Sequence, residues 1–342
     1  MKLCQYERDE QRAVGLVIED KGEIVDLAAA WSQLSASAPS ALRDYVMPSE
    51  LLQLIADGDK GRAAAAFVQA AIDAGDGSLP RIALADVHLC APIARPPKFF
   101  AIAVNQDSRR RAITPENPHP TYFVKLHTCI TGPFDTVRIP DIGQVGPEIE
   151  LAVIIGKGGK AISEADAMDH VFGFTVHNDI TAHEMRKTTE WVHVRRPDGS
   201  EEHLTYPGRY KNFDTFSPMG PWVTTADAVA DPHDLSMASY LNGEAVQAGS
   251  TKTYVYNLRQ LISHLSWAHT LEPGDIISCG TCAPVAPWKS STIDLGKIGG
   301  VLESEIAGLG RLRNPIEFVP GKQNFSGIKE QVAAPVKEVA ER

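Results

Sequence analysis

The run Gly146-Pro-Glu-Ile-Glu-Leu-Ala-Val-Ile-Ile-Gly156 constrains this chain more than any other. Read as a strand, it sends successive side chains to opposite faces. Glu148 and Glu150 then share a face with Ala152 and Ile154, while Ile149, Leu151, Val153 and Ile155 take the other. Two carboxylates side by side on a half-buried strand are costly unless a cation sits between them. A second segment, FTVHNDITAHEMR at 174–186, supplies a third carboxylate. A strand ending at His177-Asn-Asp179, followed by a short helical stretch, puts Asp179 where a ligand is commonly found. Glu148, Glu150 and Asp179 together make an all-oxygen site suited to a hard divalent cation: Mg²⁺, Mn²⁺ or Ca²⁺. From spacing alone, the plain alternative is a pair of solvent-facing glutamates at a strand start.

Around this run, residues 12–28 read as a β-hairpin: RAVGLVIE, a turn at Asp20-Lys-Gly22, then EIVDLAA. Helical stretches follow near 49–56 and 60–74, before a Pro-rich crossing, CAPIARPPKFFAIAV. The division expected is a small N-terminal α+β domain over 1–92, a catalytic domain over 93–320 and a mobile polar tail over 321–342. Within 93–320, strand signals dominate, from KFFAIAV and TYFVKL to DIISCGT and VLESEIAGLGRLRNP. Helices are signalled at 163–171, by a capping-box-like Ser163, and after Asn257, where Leu258, Leu261, Ile262 and Leu265 form one stripe. The fold class is α+β, with a rolled or barrel-like sheet.

The formal net charge of −10 disfavours a nucleic-acid or anionic-membrane partner. No run reaches the roughly 18–20 apolar residues needed to span a bilayer, and the charged start shows no secretory signal. Five unevenly spaced cysteines do not make a disulfide framework, so a cytoplasmic location is expected. Cys279-Gly-Thr-Cys282 reads as two buried thiols rather than a redox or zinc motif.

E-I-E-L-A-V-I-I-G-K, V-F-G-F-T-V-H-N-D-I-T-A, K-N-F-D-T-F-S-P-M-G-P-W-V, L-E-P-G-D-I-I-S-C-G-T and E-I-A-G-L-G-R-L-R-N-P occur in that order. Over about 97–316 the chain thereby resembles the fumarylacetoacetate hydrolase family. The resemblance implies a mixed β-roll core, a homodimer or higher assembly, and Glu148, Glu150 and Asp179 as ligands of a divalent metal. It implies Lys125 and Lys211 as catalytic lysines and Thr281 as a substrate-binding hydroxyl. The implied chemistry is that of a metal holding a small acidic or β-dicarbonyl compound and stabilising an enolate.

Two departures from the family pattern matter. Where hydrolytic members carry a His–Glu pair that activates water, this chain has Asn105-Gln-Asp-Ser-Arg109 and Ala112. An arginine cannot act as a base at neutral pH. In the following motif, His183 and Arg186 replace an arginine and a glutamine. The expectation is an exchange of roles: His183 transfers the proton, while Arg109 and Arg186 hold the substrate's acidic group. In the bland reading, Arg109 lies in a solvated turn and His183 fills space. The function expected first is hydrolysis of a C–C bond in an acylpyruvate-type acid. Decarboxylation or isomerisation of a 2-oxo acid through the same enolate is the alternative, and a non-catalytic ligand-binding dimer stands behind both. The insertion at 187–210 reads as a lid, a dimer arm or a plain loop, and 106–120 as a mobile cover.

Overall fold

The computed structural model describes residues 1–107 and 119–321. Arg109, Ala112, most of the expected cover at 106–120 and nearly all of the tail lie outside the described residues. The architecture is α+β, as expected: two large β-sheets with few helices.

The larger sheet is centred on Ile149–Ile155, every residue of which is buried. Val171–Asn178 lies antiparallel on one side and Ile276–Thr281 antiparallel on the other. Beyond Ile276–Thr281 come Phe99–Ala103 and Thr121–Val124. Beyond Val171–Asn178 comes Ser217–Thr225, to which the first strand of the chain, Lys2–Arg8, adds itself through Leu3↔Val223. The hairpin of Gln11–Ile18 and Glu23–Asp26 then extends the sheet outward, with Gly22 left-handed at its turn. Residues 1–92 therefore continue the sheet that residues 93–320 begin.

The alternation read from the sequence explains how this sheet is covered. Ala152 and Ile154 join a core with Leu51, Leu54 and Ile55 of Leu51–Ala56 and Ala64, Ala65 and Val68 of Asp59–Asp73. Ile149, Leu151, Val153 and Ile155 join another with the stripe of Leu258–Ala268. That helix starts at a reciprocal capping box in which the Asn257 and Gln260 side chains each take the other's backbone N–H. The central strand is thus buried on both faces, where one wet face was expected. The second sheet orders Glu244–Ser250, Ser236–Leu241, Gly300–Ile306, Gly310–Val319 and Val137–Pro140.

Three local expectations change. The strand Glu23–Asp26 stops where Asp26 accepts the Ala29 N–H and starts the helix Leu27–Leu34, so EIVDLAA is half strand and half helix. The stretch at 163–171 forms only a 3₁₀ turn, Ala167–His170. The Arg259 guanidinium takes the carbonyls of Glu164 and Ala165 (3.1 and 2.8 Å), which a helix there would need. The insertion at 187–210 contains a separate hairpin, Trp191–Arg195 with Glu201–Thr205.

Candidate metal centre

Antiparallel pairing sets the start of one strand beside the end of the next, and this assembles the site. Glu148 and Glu150 stand at the start of Ile149–Ile155, Asp179 follows the end of Val171–Asn178, and Thr281 ends Ile276–Thr281. Two bonds lock the junction: Asp179 N–H to the Glu148 carbonyl (2.7 Å) and Glu148 N–H to the Asn178 side-chain oxygen (2.9 Å). The three carboxylates are buried and each offers an oxygen within 4.8 Å of the others. Hard oxygen donors at that spacing, closed to bulk water, suit a divalent cation. Among the described residues this is the only such group.

Two lysines neutralise part of the charge. Lys211, on the turn Arg209–Lys211, donates to Glu148 Oε2 (2.8 Å) and to Asp179 Oδ2. Lys125, just past Thr121–Val124, is wholly buried and donates to Asp179 Oδ1 and to the Lys211 carbonyl (2.6 Å). Burial opposes the charge on Asp179, but the Lys125 and Lys211 ammonium groups outweigh it and hold the carboxyl below its usual range. Burial likewise opposes the charge on Lys211, yet Asp179, Glu148 and Glu150 hold its ammonium well above the ordinary lysine value. Glu150 behaves differently: burial first, then the nearby Asp179, push its pKa up to about 8.

The cavity over the carboxylates has a volume of about 340 Å³ and is lined by Glu148, Glu150, Asp179, Lys211, Arg186 and Thr281 together with Asn105, Tyr122, Phe123 and Tyr210. Six of the sequence-predicted site residues therefore converge here. Lys125 supports the floor without lining the cavity, and Arg109 lies outside the described residues. His183 does not reach it. Its ring occupies the space left by the absent side chain of Gly146, where a Cβ would meet Nε2 at 2.9 Å, and lines a separate recess with Pro147 and Ile293.

Other neighbours escaped sequence reading. Tyr210 and Tyr122 wall the cavity, but nothing in their spacing marks them. Asn105, expected at the head of the altered water-activating segment, staples the chain instead: its amide donates to the Cys279 and Tyr256 carbonyls (2.8 and 3.1 Å). Cys279 and Cys282 are buried, as read, and neither is in a disulfide.

The family described as fumarylacetoacetate (FAA) hydrolase C-terminal matches residues 98–317. The chain belongs to the fumarylacetoacetate hydrolase family. That family span contains the three carboxylates, both lysines, Arg186 and Thr281. The oxaloacetate tautomerase fahd2, mitochondrial, of Xenopus laevis is 33% identical over 320 residues, covering 92% of this chain and 90% of that protein. The oxaloacetate tautomerase YisK of Bacillus subtilis (strain 168) is 33% identical over 327 residues, covering 92% of this chain and 100% of that protein. Among solved structures, maleylpyruvate hydrolase from Sphingobium sp. SYK-6, in complex with manganese(II) ion and pyruvate, superposes with a TM-score of 0.65 at 28% identity. It covers 93% of this chain and 99% of that one. Among the described residues, no helix of this family member is long and apolar enough to cross a membrane.

Proposed function

We propose that the chain is a divalent-metal-dependent tautomerase that interconverts the enol and keto forms of a small 2-oxo dicarboxylic acid of the oxaloacetate kind. One observation carries this reading. The cavity joins three carboxylates to a cationic wall, but among its described lining residues there is no histidine to activate water. Hydrolysis needs a group that takes a proton from the attacking water, a task histidine performs most often. Tautomerisation has no attacking water and needs only stabilised enolate charge and a proton moved between oxygen and carbon. The names of the relatives support the same class. C–C hydrolysis, expected first from sequence, becomes the second reading, favoured by the maleylpyruvate hydrolase likeness.

In this proposal Glu148, Glu150 and Asp179 hold the cation, and Lys125 keeps Asp179 ionised. When bound, the cation supplies Lewis acidity that lowers the charge density on the oxygens of a 2-oxo acid. Lys211, protonated and 5.3 Å above the Phe123 ring, holds a proton at Nζ beside the substrate oxygens. Arg186 pairs with the distal carboxylate through its forked N–H groups, and Arg109 keeps the same expected task. Thr281, whose hydroxyl oxygen accepts from Gln247 (3.2 Å) and donates to the Cys282 carbonyl (3.4 Å), exchanges that long bond for one to a substrate oxygen. The proton-transfer role expected of His183 passes to Lys211, because the imidazole faces another recess: the ammonium gives a proton to the substrate carbon and recovers one from the enol hydroxyl. Five cysteines without a disulfide fit a reducing compartment, and the homodimer is kept as part of the proposal.

The test follows the enol absorbance of oxaloacetate with purified protein and Mn²⁺ or Mg²⁺, beside chromatography of an acylpyruvate panel. Metal-dependent loss of the enol without new carbon fragments is expected, and Lys211→Met abolishes it. Fragment release from acylpyruvates with no effect on the enol establishes hydrolysis instead. Binding without either outcome leaves a ligand-binding protein.

A further inference from the structure

Behind the carboxylates runs a buried chain of hydrogen bonds that the proposed reaction does not use. Glu150 Oε2 accepts from the backbone N–H of Gly280 (3.0 Å) and from Ser278 Oγ (2.5 Å). Ser278 Oγ lies 2.7 Å from Nδ1 of His177, which is fully buried on Val171–Asn178, across the Glu150 strand from Ser278. A hydroxyl has a single proton to give. Oε2 already accepts from Gly280, so the Ser278 proton goes to Oε2, and Nδ1 of His177 carries the proton that Ser278 accepts. The chain runs one way, from His177 through Ser278 to Glu150.

His177 holds this tautomer at a cost. Its Nε2 is buried and has no hydrogen-bond partner among the described residues, and such atoms are expensive to retain. The Phe99 ring stands edge-on beside it, centroids 5.1 Å apart. An apolar residue would fill this place without an orphaned nitrogen. What the imidazole adds is the single N–H that orients the Ser278 hydroxyl.

We infer that His177 and Ser278 are positioning residues that act through Glu150: they fix Oε2 so that the other carboxylate oxygen is presented to a cation already oriented. The inference rests on the reading of the trio as a metal site. Partners of metal ligands commonly act this way, and losing one costs roughly 10–100-fold in metal affinity. Because both residues act through one oxygen, their effects on binding are not additive.

The test is Mn²⁺ titration of the full chain by calorimetry, with free ion counted by electron paramagnetic resonance. The variants are Ser278→Ala, His177→Phe, His177→Asn and the Phe/Ala double variant. Ser278→Ala is expected to weaken Mn²⁺ binding about tenfold or more, and His177→Phe to do the same. The double variant should be no weaker than either single one. His177→Asn, whose amide N–H falls near the position of Nδ1, should recover most of the loss. Metal-free melting curves separate this from a folding defect. If His177→Phe does not fold, Ser278→Ala and His177→Asn still decide. Native-like affinity in Ser278→Ala, or losses that multiply in the double variant, overturns the inference while leaving the metal site intact. An unmodified chain that takes up no Mn²⁺ overturns the metal reading itself, and this inference with it.

Discussion

Glu150 carries a consequence for pH. Its pKa of about 8 in the metal-free fold lies above its ordinary 4.5, so the folded chain holds that proton more tightly than the unfolded one. Its contribution to stability is full below about pH 4.5 and is lost as pH rises toward 8. Asp179 runs the other way: its depressed pKa adds stability above the unfolded value, which is lost as pH falls through the folded one. A cation displaces the Glu150 proton, so Mn²⁺ uptake should release about one proton at pH 6 and none well above pH 8. Calorimetry in buffers of differing ionisation heat measures this; uptake without release at pH 6 contradicts it. Replacing a carboxylate outright, as in Asp179→Asn, should cost more affinity than the roughly 10–100-fold loss of an outer partner. At this scale the carboxylates could be read from sequence, because period-two alternation places Glu148 beside Glu150 and a strand end exposes Asp179. His177 and Ser278 could not. They lie 101 positions apart, and only strand pairing brings them together.

Among the elements, the helix Leu258–Ala268 was readable to its first residue because its cap and stripe are both local signals. Asn257→Ala removes the acceptor of the Gln260 N–H while keeping the backbone N–H that Gln260 Oε1 accepts, and should cost about 1 kcal/mol, seen as a lower denaturant midpoint with Mn²⁺ affinity retained. An unchanged midpoint means that packing alone holds the helix. The stretch at 163–171 misled because its start signal is real: Ser163 Oγ accepts the Asp166 N–H at 3.2 Å. What stops the helix is Arg259, 94 positions away from Ala165 and invisible to a local window. His183 misled for a similar reason. Spacing put it near Arg186, but the pocket beside Gly146 claims its ring. His183→Gln should therefore leave the pH dependence of kcat in place; loss of its limb restores the exchange of roles.

At the level of the molecule, the sheet joins regions that composition separates. The Pro-rich crossing near residue 92 suggested a boundary, yet Lys2–Arg8 pairs with Ser217–Thr225 and the N-terminal helices cover Ala152, Ile154 and Phe172. A chain starting at residue 93 uncovers that face and should aggregate or melt far lower than the whole protein. Equal melting temperatures would show that the two parts fold independently. Leu54→Ala, in the same core, should cost about 2–5 kcal/mol while leaving the Mn²⁺ affinity of the folded fraction unchanged. All of this scaffolding sets three acidic side chains, drawn from two neighbouring strands, around one point. Anomalous diffraction at the manganese edge from Mn²⁺-soaked crystals tests that most directly. A single strong peak bounded by oxygens of Glu148, Glu150 and Asp179 is expected, whereas no peak among them at saturating Mn²⁺ contradicts the account.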